Sequence, residues 1–460
     1  MVSFSSHSPS AGNVRGFSET SRQVLHMAMG AFALLLRFLT WWQAGLCAVA
    51  ALLFNAFVLP RVGGRTLYRQ ADRLRGFPLG ILLYPLAVLL LILVFPRRLD
   101  IAAAAWGILA AGDGLATLVG TRSHEPRLPW NTDKSWAGTL AFALGGAAAG
   151  VFLAWWTRPA IVPQPALWFA IAAPATAAIV AAIVESLPVR MDDNLSVPAV
   201  AAAVLWGASL MTAGAWHEGA AIIGPRILPA IALNVLTAML GWRAATVSTS
   251  GAVAGALIGV VVYACTGIFG WLLLFGSFFA ASASSRAGMK RKALLGIAEE
   301  REGRRGPGNA VANCIVGVAA AALAVTTPYR SLAMLAFVAA LTAGGSDTVA
   351  SEIGKAWGRR TFLVTTFKPV RPGTSGAISL EGTAAGLMCA FALAALGVAM
   401  GLLQPNFVWF AVIGATAGAF AESWLGATFE APGILNNDLL NFLNTAIAAI
   451  VAVALAAIIR

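Results

Sequence analysis

The sequence predicts an all-α polytopic membrane protein, with about 15 transmembrane helices in two parallel repeated modules of about seven helices joined by a linker helix. Three observations carry this expectation. Of the 460 residues, 59% are hydrophobic and 11% charged, with a mean hydropathy of +0.80; soluble domains carry roughly 25% charge. The apolar residues come in runs long enough to cross a bilayer, about 20 residues each, without the polar face of a surface helix. Finally, cations collect in alternate loops, and one set of carboxylate motifs occurs twice.

Along the chain, residues 1–21 form a polar, Ser-rich tail expected to be disordered. The first apolar run, 24–42, is too long for a signal-peptide core and lacks a small-residue cleavage site, so it reads as a retained span. Further spans follow at 43–60, 77–95, 99–120, 136–156, 166–184 and 195–216. Then come 219–240, 245–265, 268–285, 309–326, 331–353, 379–403, 406–427 and 439–459. The modules are then 22–217 and 245–460, with 218–244 as the linker helix.

Loop charge tests this count. With the N-terminus cytoplasmic, the second span leads to Arg61, Arg65, Arg69, Arg73 and Arg75, and the fourth to Arg122, Arg127 and Lys134. The tenth leads to Arg286, Lys290, Arg291, Lys292, Arg301, Arg304 and Arg305, and the twelfth to Lys355, Arg359, Arg360, Lys368 and Arg371. All four basic loops fall on one side, which the positive-inside rule makes cytoplasmic. The same rule accounts for the net charge of +12. Nucleic acid is not an expected partner, because no basic stretch interleaves the aromatics that stack bases. Cys47, Cys265, Cys314 and Cys389 lie singly in apolar runs, and the four histidines are scattered, so neither a disulfide framework nor a zinc site is suggested.

The internal repeat is read from four motifs. Gly112-Asp113-Gly114-Leu115-Ala116 through Gly120 matches Ser346-Asp347-Thr348-Val349-Ala350 through Gly354. Ala137-Gly138-Thr139 matches Glu381-Gly382-Thr383, and Glu185-Ser186 matches Glu422-Ser423. Glu185 stands 72 residues after Asp113, and Glu422 stands 75 after Asp347. The pairs Asp193-Asn194 and Asn437-Asp438 open the last span of each module. The additional span at 219–240 restores orientation, so both Asp motifs face the cytoplasm.

An ionisable residue inside a span costs about 2.5–3.5 kcal/mol on insertion scales and marks a functional site by default. Asp113, Glu185, Asp347, Glu352 and Glu422 meet that description. Carboxylates at a membrane face, with Asp193, Asn194, Asn437 and Asp438 nearby and basic loops beside them, suit Mg²⁺-bound phosphate. Phosphoryl transfer needs cations around the transferred group and a residue that orients the attacking hydroxyl. Gly112 would allow close backbone approach to phosphate. Lys134, and Lys368 in the second module, would hold a phosphate as point charges. The turn at Gly373-Thr374-Ser375-Gly376 would offer backbone amides to an anion.

At these motifs the sequence resembles known families. From residue 22 to about 216 it is similar to the dolichol kinase, phytol kinase and phosphatidate cytidylyltransferase group. The matching pieces are Arg22-Gln23-Val24-Leu25-His26, Gly112-Asp113, Leu128-Pro129-Trp130-Asn131 with Lys134-Ser135-Trp136-Ala137-Gly138, and Asp192-Asp193-Asn194-Leu195-Ser196-Val197-Pro198. From about 230 onward it resembles the phytyl-phosphate kinase family related to transmembrane protein 19. That likeness rests on 346–354, Pro372-Gly373-Thr374-Ser375-Gly376, Glu422-Ser423-Trp424-Leu425-Gly426 and Asn436-Asn437-Asp438-Leu439 through Thr445.

The resemblance implies a bifunctional isoprenoid alcohol kinase. The first module would phosphorylate a prenyl alcohol and the second its monophosphate, with CTP as the usual donor and Mg²⁺ as the metal. It implies Asp113, Glu185, Asp347 and Glu422 as catalytic residues and Asp113, Asp193, Asp347, Glu352 and Asp438 as metal ligands. Gly112, Lys134, Ser135, Asn194, Lys368, Gly373, Thr374 and Asn437 would bind the nucleotide. The expected partners are the prenyl alcohol and its monophosphate, a nucleoside triphosphate and the lipid bilayer. The long Gly- and His-rich cytidylyltransferase signature is absent, which makes that activity the alternative. A transporter with parallel repeats is the rival class, but it would need a carboxylate deep in the bilayer. A purely structural or binding role would not explain two sets of Asp, Glu and Asn.

Overall fold

The computed structural model describes residues 19–62, 79–122, 126–187, 191–297, 306–430 and 435–459. Residues 1–18 of the tail, the arginines at 65–75 and 301–305, and His124 lie outside the described residues. Eleven helices among the described residues are long and apolar enough to cross a membrane, which makes the chain an all-α polytopic membrane protein.

The difference from fifteen spans has local causes. Residues 19–21, read as tail, open helix α1 (Glu19–Met29), and the chain then tightens into a 3₁₀ segment over Gly30–Arg37. Helix α2 (Trp41–Leu53) continues through a π-helical turn to Val58 and is one of the eleven, whereas α3 (Leu79–Val94) has 16 residues and α8 (Asp193–Ser209) has 17. The spans expected at 245–265 and 268–285 are two helices that meet at a non-helical Gly267, and they are counted together in the eleven as one run, α11 (Thr249–Arg286). Gly267 has φ of +74°, a conformation glycine adopts without steric cost.

The chain divides into two compact units, 1–209 and 210–460. The boundary precedes the one expected from sequence, because the segment read as a linker belongs to the second unit. There α9 (Ala213–Ile223) and α10 (Ile227–Arg243) pack on later helices.

The first unit is built around α4 (Leu99–Gly107), every residue of which is buried. A π-helical turn, Ile108–Asp113, carries α4 into α5 (Gly114–Gly120). A short antiparallel hairpin follows, β1 (Arg127–Leu128) and β2 (Asn131–Ser135), and leads into α6 (Trp136–Thr157). Helix α7 (Leu167–Ser186) and α8 complete the unit, with α4 packed on both α6 and α8. Gly150 lets α6 approach closely: an added Cβ would lie 2.8 Å from Ile108 Cγ1 and 3.3 Å from Pro174 Cβ.

The second unit also has a central helix followed by a hairpin. Its central helix is α14 (Arg330–Trp357), reached through α12 (Met289–Leu294) and α13 (Pro307–Thr326). The hairpin β3 (Thr361–Leu363) and β4 (Ala377–Ser379) leads into α15 (Leu380–Ala399). Helix α16 (Val408–Leu425) runs into a π-helical turn, Gly426–Glu430, and α17 (Asn437–Ile458) packs on α13, α14 and α16.

Both hairpins hand the chain to the next helix in the same way. Ser135 Oγ accepts from Gly138 N at 3.2 Å, and Ser379 Oγ accepts from Gly382 N at 3.1 Å, each capping the new helix. A Cβ on Gly138 would sit 3.0 Å from Ala116 O and 3.3 Å from Gly120 Cα. On Gly382 it would sit 2.5 Å from Ala350 O and 3.1 Å from Gly354 Cα. Each unit therefore places its Asp motif and its hairpin at one end of its helices.

Candidate functional site

In the first unit the π-helical turn presents Asp113, the end of α7 presents Glu185 and the start of α8 presents Asp193. One carboxylate oxygen from each lies within 4.8 Å of the others. Lys134, at the end of the hairpin, donates to Glu185 and, at 3.2 Å, to Asp193 Oδ2. Burial disfavours its ammonium, but the carboxylates of Asp193 and Glu185 outweigh that and raise its pKa above the ordinary lysine value. Lys134 is therefore cationic at neutral pH.

His26 Nε2 lies 3.6 Å from Asp113 Oδ2, with its ring edge-on to Tyr84. Asn194 donates from its backbone and side chain to Asp192 Oδ1, while its own Oδ1 is buried without a partner. Asn131 and Trp130 tie the hairpin to Ser186, next to Glu185, with bonds of 3.1 and 3.3 Å. Three hard oxygen donors, one cation and an unpartnered amide oxygen fit a divalent ion and a phosphate oxygen. Two expected ligands also have packing or capping contacts. A Cβ on Gly112 would lie 2.9 Å from the Phe142 ring, and the Ser135 hydroxyl oxygen accepts the capping bond of α6.

The second unit gathers a parallel set around a cavity of about 390 Å³. Asp347, Lys355, Thr374, Glu430 and Asn437 line it. Asp347 and Glu422 are close enough to interact directly, and Lys355 acts on Asp347. Glu422 Oε2 and both amide atoms of Asn444 are buried with no hydrogen-bond partner of normal geometry. Two adjacent carboxyl groups beside a buried amide suit a cation and its phosphate ligand. Ser375 donates to Glu430, which ties the Gly373–Gly376 turn to the end of α16. Gly373 and Gly376 have φ of +84° and +75°, so the turn needs glycine at both places.

Three expectations are redirected here. Glu352 is not left for a metal: Lys292 holds Oε2 at 2.5 Å and Lys355 holds Oε1 at 2.7 Å. Lys292 is fully buried and also donates to Ser284 O and Ser285 O, so this pair fastens α12 to α14. Lys368 is exposed in the hairpin loop and does not line the cavity, and Lys355 supplies the cation instead. Asp438 is exposed, with its carboxylate against Gly308 at the start of α13. The three-carboxylate cluster of the first unit thus becomes a pair with an asparagine in the second.

The Lys292–Glu352 pair gives a stability prediction. Glu352→Gln leaves a buried ammonium without its counter-charge, a loss of about 3–5 kcal/mol. The melting temperature in detergent should drop clearly for Glu352→Gln and recover in the Lys292→Met/Glu352→Gln double variant. Equal melting of the single variant and wild type would remove the pair from the account.

Sequence missed Lys355, Asn444, Lys292 and His26 as site or support residues. Asn444 had a signal: it lies seven residues after Asn437, two turns along the same helix face. His26 stood in the matching motif Arg22–His26 without a role, and Lys292 had no signal, because its partner is distant in sequence.

The integral membrane protein family DUF92 matches residues 232–449. An uncharacterized membrane protein of Synechocystis is 40% identical over 205 residues, 44% of this chain and 79% of its own length. Protein VTE6, chloroplastic, of Arabidopsis thaliana is 38% identical over 233 residues, 49% of this chain and 70% of its own. Probable phytol kinase 1, chloroplastic, of Glycine max is 31% identical over 204 residues, 40% of this chain and 65% of its own. No solved structure matches the chain.

Proposed function

The chain belongs to the DUF92 family of integral membrane proteins, and on that premise we propose that it is a bifunctional prenyl alcohol and prenyl phosphate kinase. One observation carries the reading: each unit holds its own cluster of carboxylates, lysine and amide at the mouth of the same helix–hairpin–helix element. The similarity to a probable phytol kinase supports a prenyl alcohol as the first acceptor.

In the first transfer the alcohol oxygen bonds to the γ-phosphorus of the nucleoside triphosphate, and the bond to the β–γ bridging oxygen breaks. The products are the prenyl monophosphate, the nucleoside diphosphate and the proton of the hydroxyl. Asp113, one of the three clustered carboxylates, would orient the hydroxyl and receive that proton. Lys134 neutralises charge on the phosphate while keeping Glu185 and Asp193 in position. In the second transfer the monophosphate oxygen is the acceptor, with Asp347 and Glu422 as the carboxylates, Lys355 as the cation and Thr374 with Gly373 on the anion-facing turn. Asp113 and Asp193 in one unit, and Asp347 and Glu422 in the other, would hold Mg²⁺, which would supply neutralisation of phosphate charge. CTP is the proposed donor.

The test is incubation of purified protein in detergent with Mg²⁺, a prenyl alcohol and CTP labelled at either the α- or the γ-phosphate. Lipid mono- and diphosphate carrying only γ-label is the expected result. Transfer of α-label to lipid would replace this reading with cytidylyl transfer, and no labelled lipid with any nucleotide would end it.

Both sites are proposed to face the cytoplasm, on the charge asymmetry of the loops. Single cysteines replacing Arg127 and Thr374, each exposed, should react with impermeant thiol reagents from the same side of sealed vesicles. Labelling from opposite sides contradicts the parallel arrangement.

A further inference from the structure

We infer that a second, apolar cavity in the 210–460 unit houses the hydrocarbon chain of the prenyl monophosphate, an inference that rests on the kinase reading above. The cavity has a volume of about 160 Å³ and lies among α10, α11, α13 and α14. Its walls include Trp271 and Phe275, whose rings stack at 5.4 Å, and Gly255, where an added Cβ would meet nothing within 4 Å. Apolar walls relieved by glycine leave a slot that fits a flexible chain with branching methyl groups.

Two elements join this slot to the polar cavity. Gly344 lines the slot and Asp347 lines the polar cavity, three residues on. On an α-helix that is about 4.5 Å along the axis and about 60° around it. Asn313 belongs to the slot, and its Oδ1 is buried without a partner beside Gly344. The start of α13 also lines the slot at Asn309, while its neighbour Gly308 touches Asp438, next to Asn437 of the polar cavity. A molecule with a charged head and an apolar tail is the ligand class that such paired cavities accommodate.

Gly255→Phe fills the slot and Gly255→Ala does not. For the wild type, both phytyl and geranyl monophosphate should yield diphosphate. In Gly255→Phe, kcat/KM should fall by about tenfold or more for the phytyl substrate and stay within about twofold for the geranyl one. Gly255→Ala should leave both unchanged. Equal effects on the two substrates, or no effect on either, would overturn the inference while leaving the kinase reading standing. Absence of diphosphate from the wild type would instead overturn the kinase reading, and the inference with it. If Gly255→Phe does not fold, wild-type protein is photolabelled with phytyl monophosphate carrying a diazirine at the tail end. Label in residues 249–286 supports the slot, and label confined to other helices overturns it.

Discussion

Asp347→Asn protein supplied with a prenyl alcohol should accumulate the monophosphate and make little diphosphate. The substitution keeps the size of the side chain and removes one of the two interacting carboxyl groups, the one that lines the second cavity. A lost transition-state contact of this kind costs roughly 3 kcal/mol or more, which is about a hundredfold in rate. The first transfer should proceed normally, because Asp113, Glu185, Asp193 and Lys134 all lie in the other unit. Thin-layer resolution of the labelled lipids reads both steps at once. Undiminished diphosphate would make Asp347 structural.

Lys134→Met should have a comparable effect on the first transfer. Its ammonium is the cation among three carboxylates whose oxygens lie within 4.8 Å of one another. Removing it leaves the charge of Glu185, which is nearly fully buried, without its partner. A loss of roughly 4 kcal/mol, about a thousandfold, is expected in monophosphate formation. Lys134→Arg keeps the charge but not the compact geometry, so it should recover part of the rate. Conversion of supplied monophosphate should be unchanged in both variants, which shows that the loss is local. Monophosphate formation within a few-fold of wild type for Lys134→Met would leave this lysine as a loop cation.

Much of this arrangement was legible in the sequence, and the reason is the bilayer. A carboxylate inside an apolar run is costly enough to stand out, so Asp113, Glu185, Asp347 and Glu422 could be picked out singly. Their recurrence with Gly138 and Gly382 pointed to the two units, and the fold gives both glycines the same close helix contact. What could not be read was which charges satisfy one another. Glu352 looks like Asp347 in sequence, but a lysine 60 residues earlier folds back to neutralise it. Lys368 looks like Lys134 because each is a lysine in the basic loop that follows its module's Asp motif, but Lys134 stands in β2 while Lys368 stands in the loop between β3 and β4. The second hairpin is longer, however, and leaves Lys368 outside the cavity that Lys355 lines from its helix. Ser135 is read from sequence as a phosphate ligand, and in the fold its hydroxyl oxygen also caps the helix that follows. The span count fell short where a 3₁₀ segment and short helices replaced full-length ones, features that hydropathy does not resolve.

The central claim is that each unit performs its own transfer. Purified Asp113→Asn protein given prenyl monophosphate and γ-labelled CTP tests it most directly. The account predicts diphosphate at close to the wild-type rate, although the same preparation makes no monophosphate from the alcohol. Failure to convert the monophosphate, in a protein whose melting temperature matches wild type, would contradict two independent sites and indicate a single composite one.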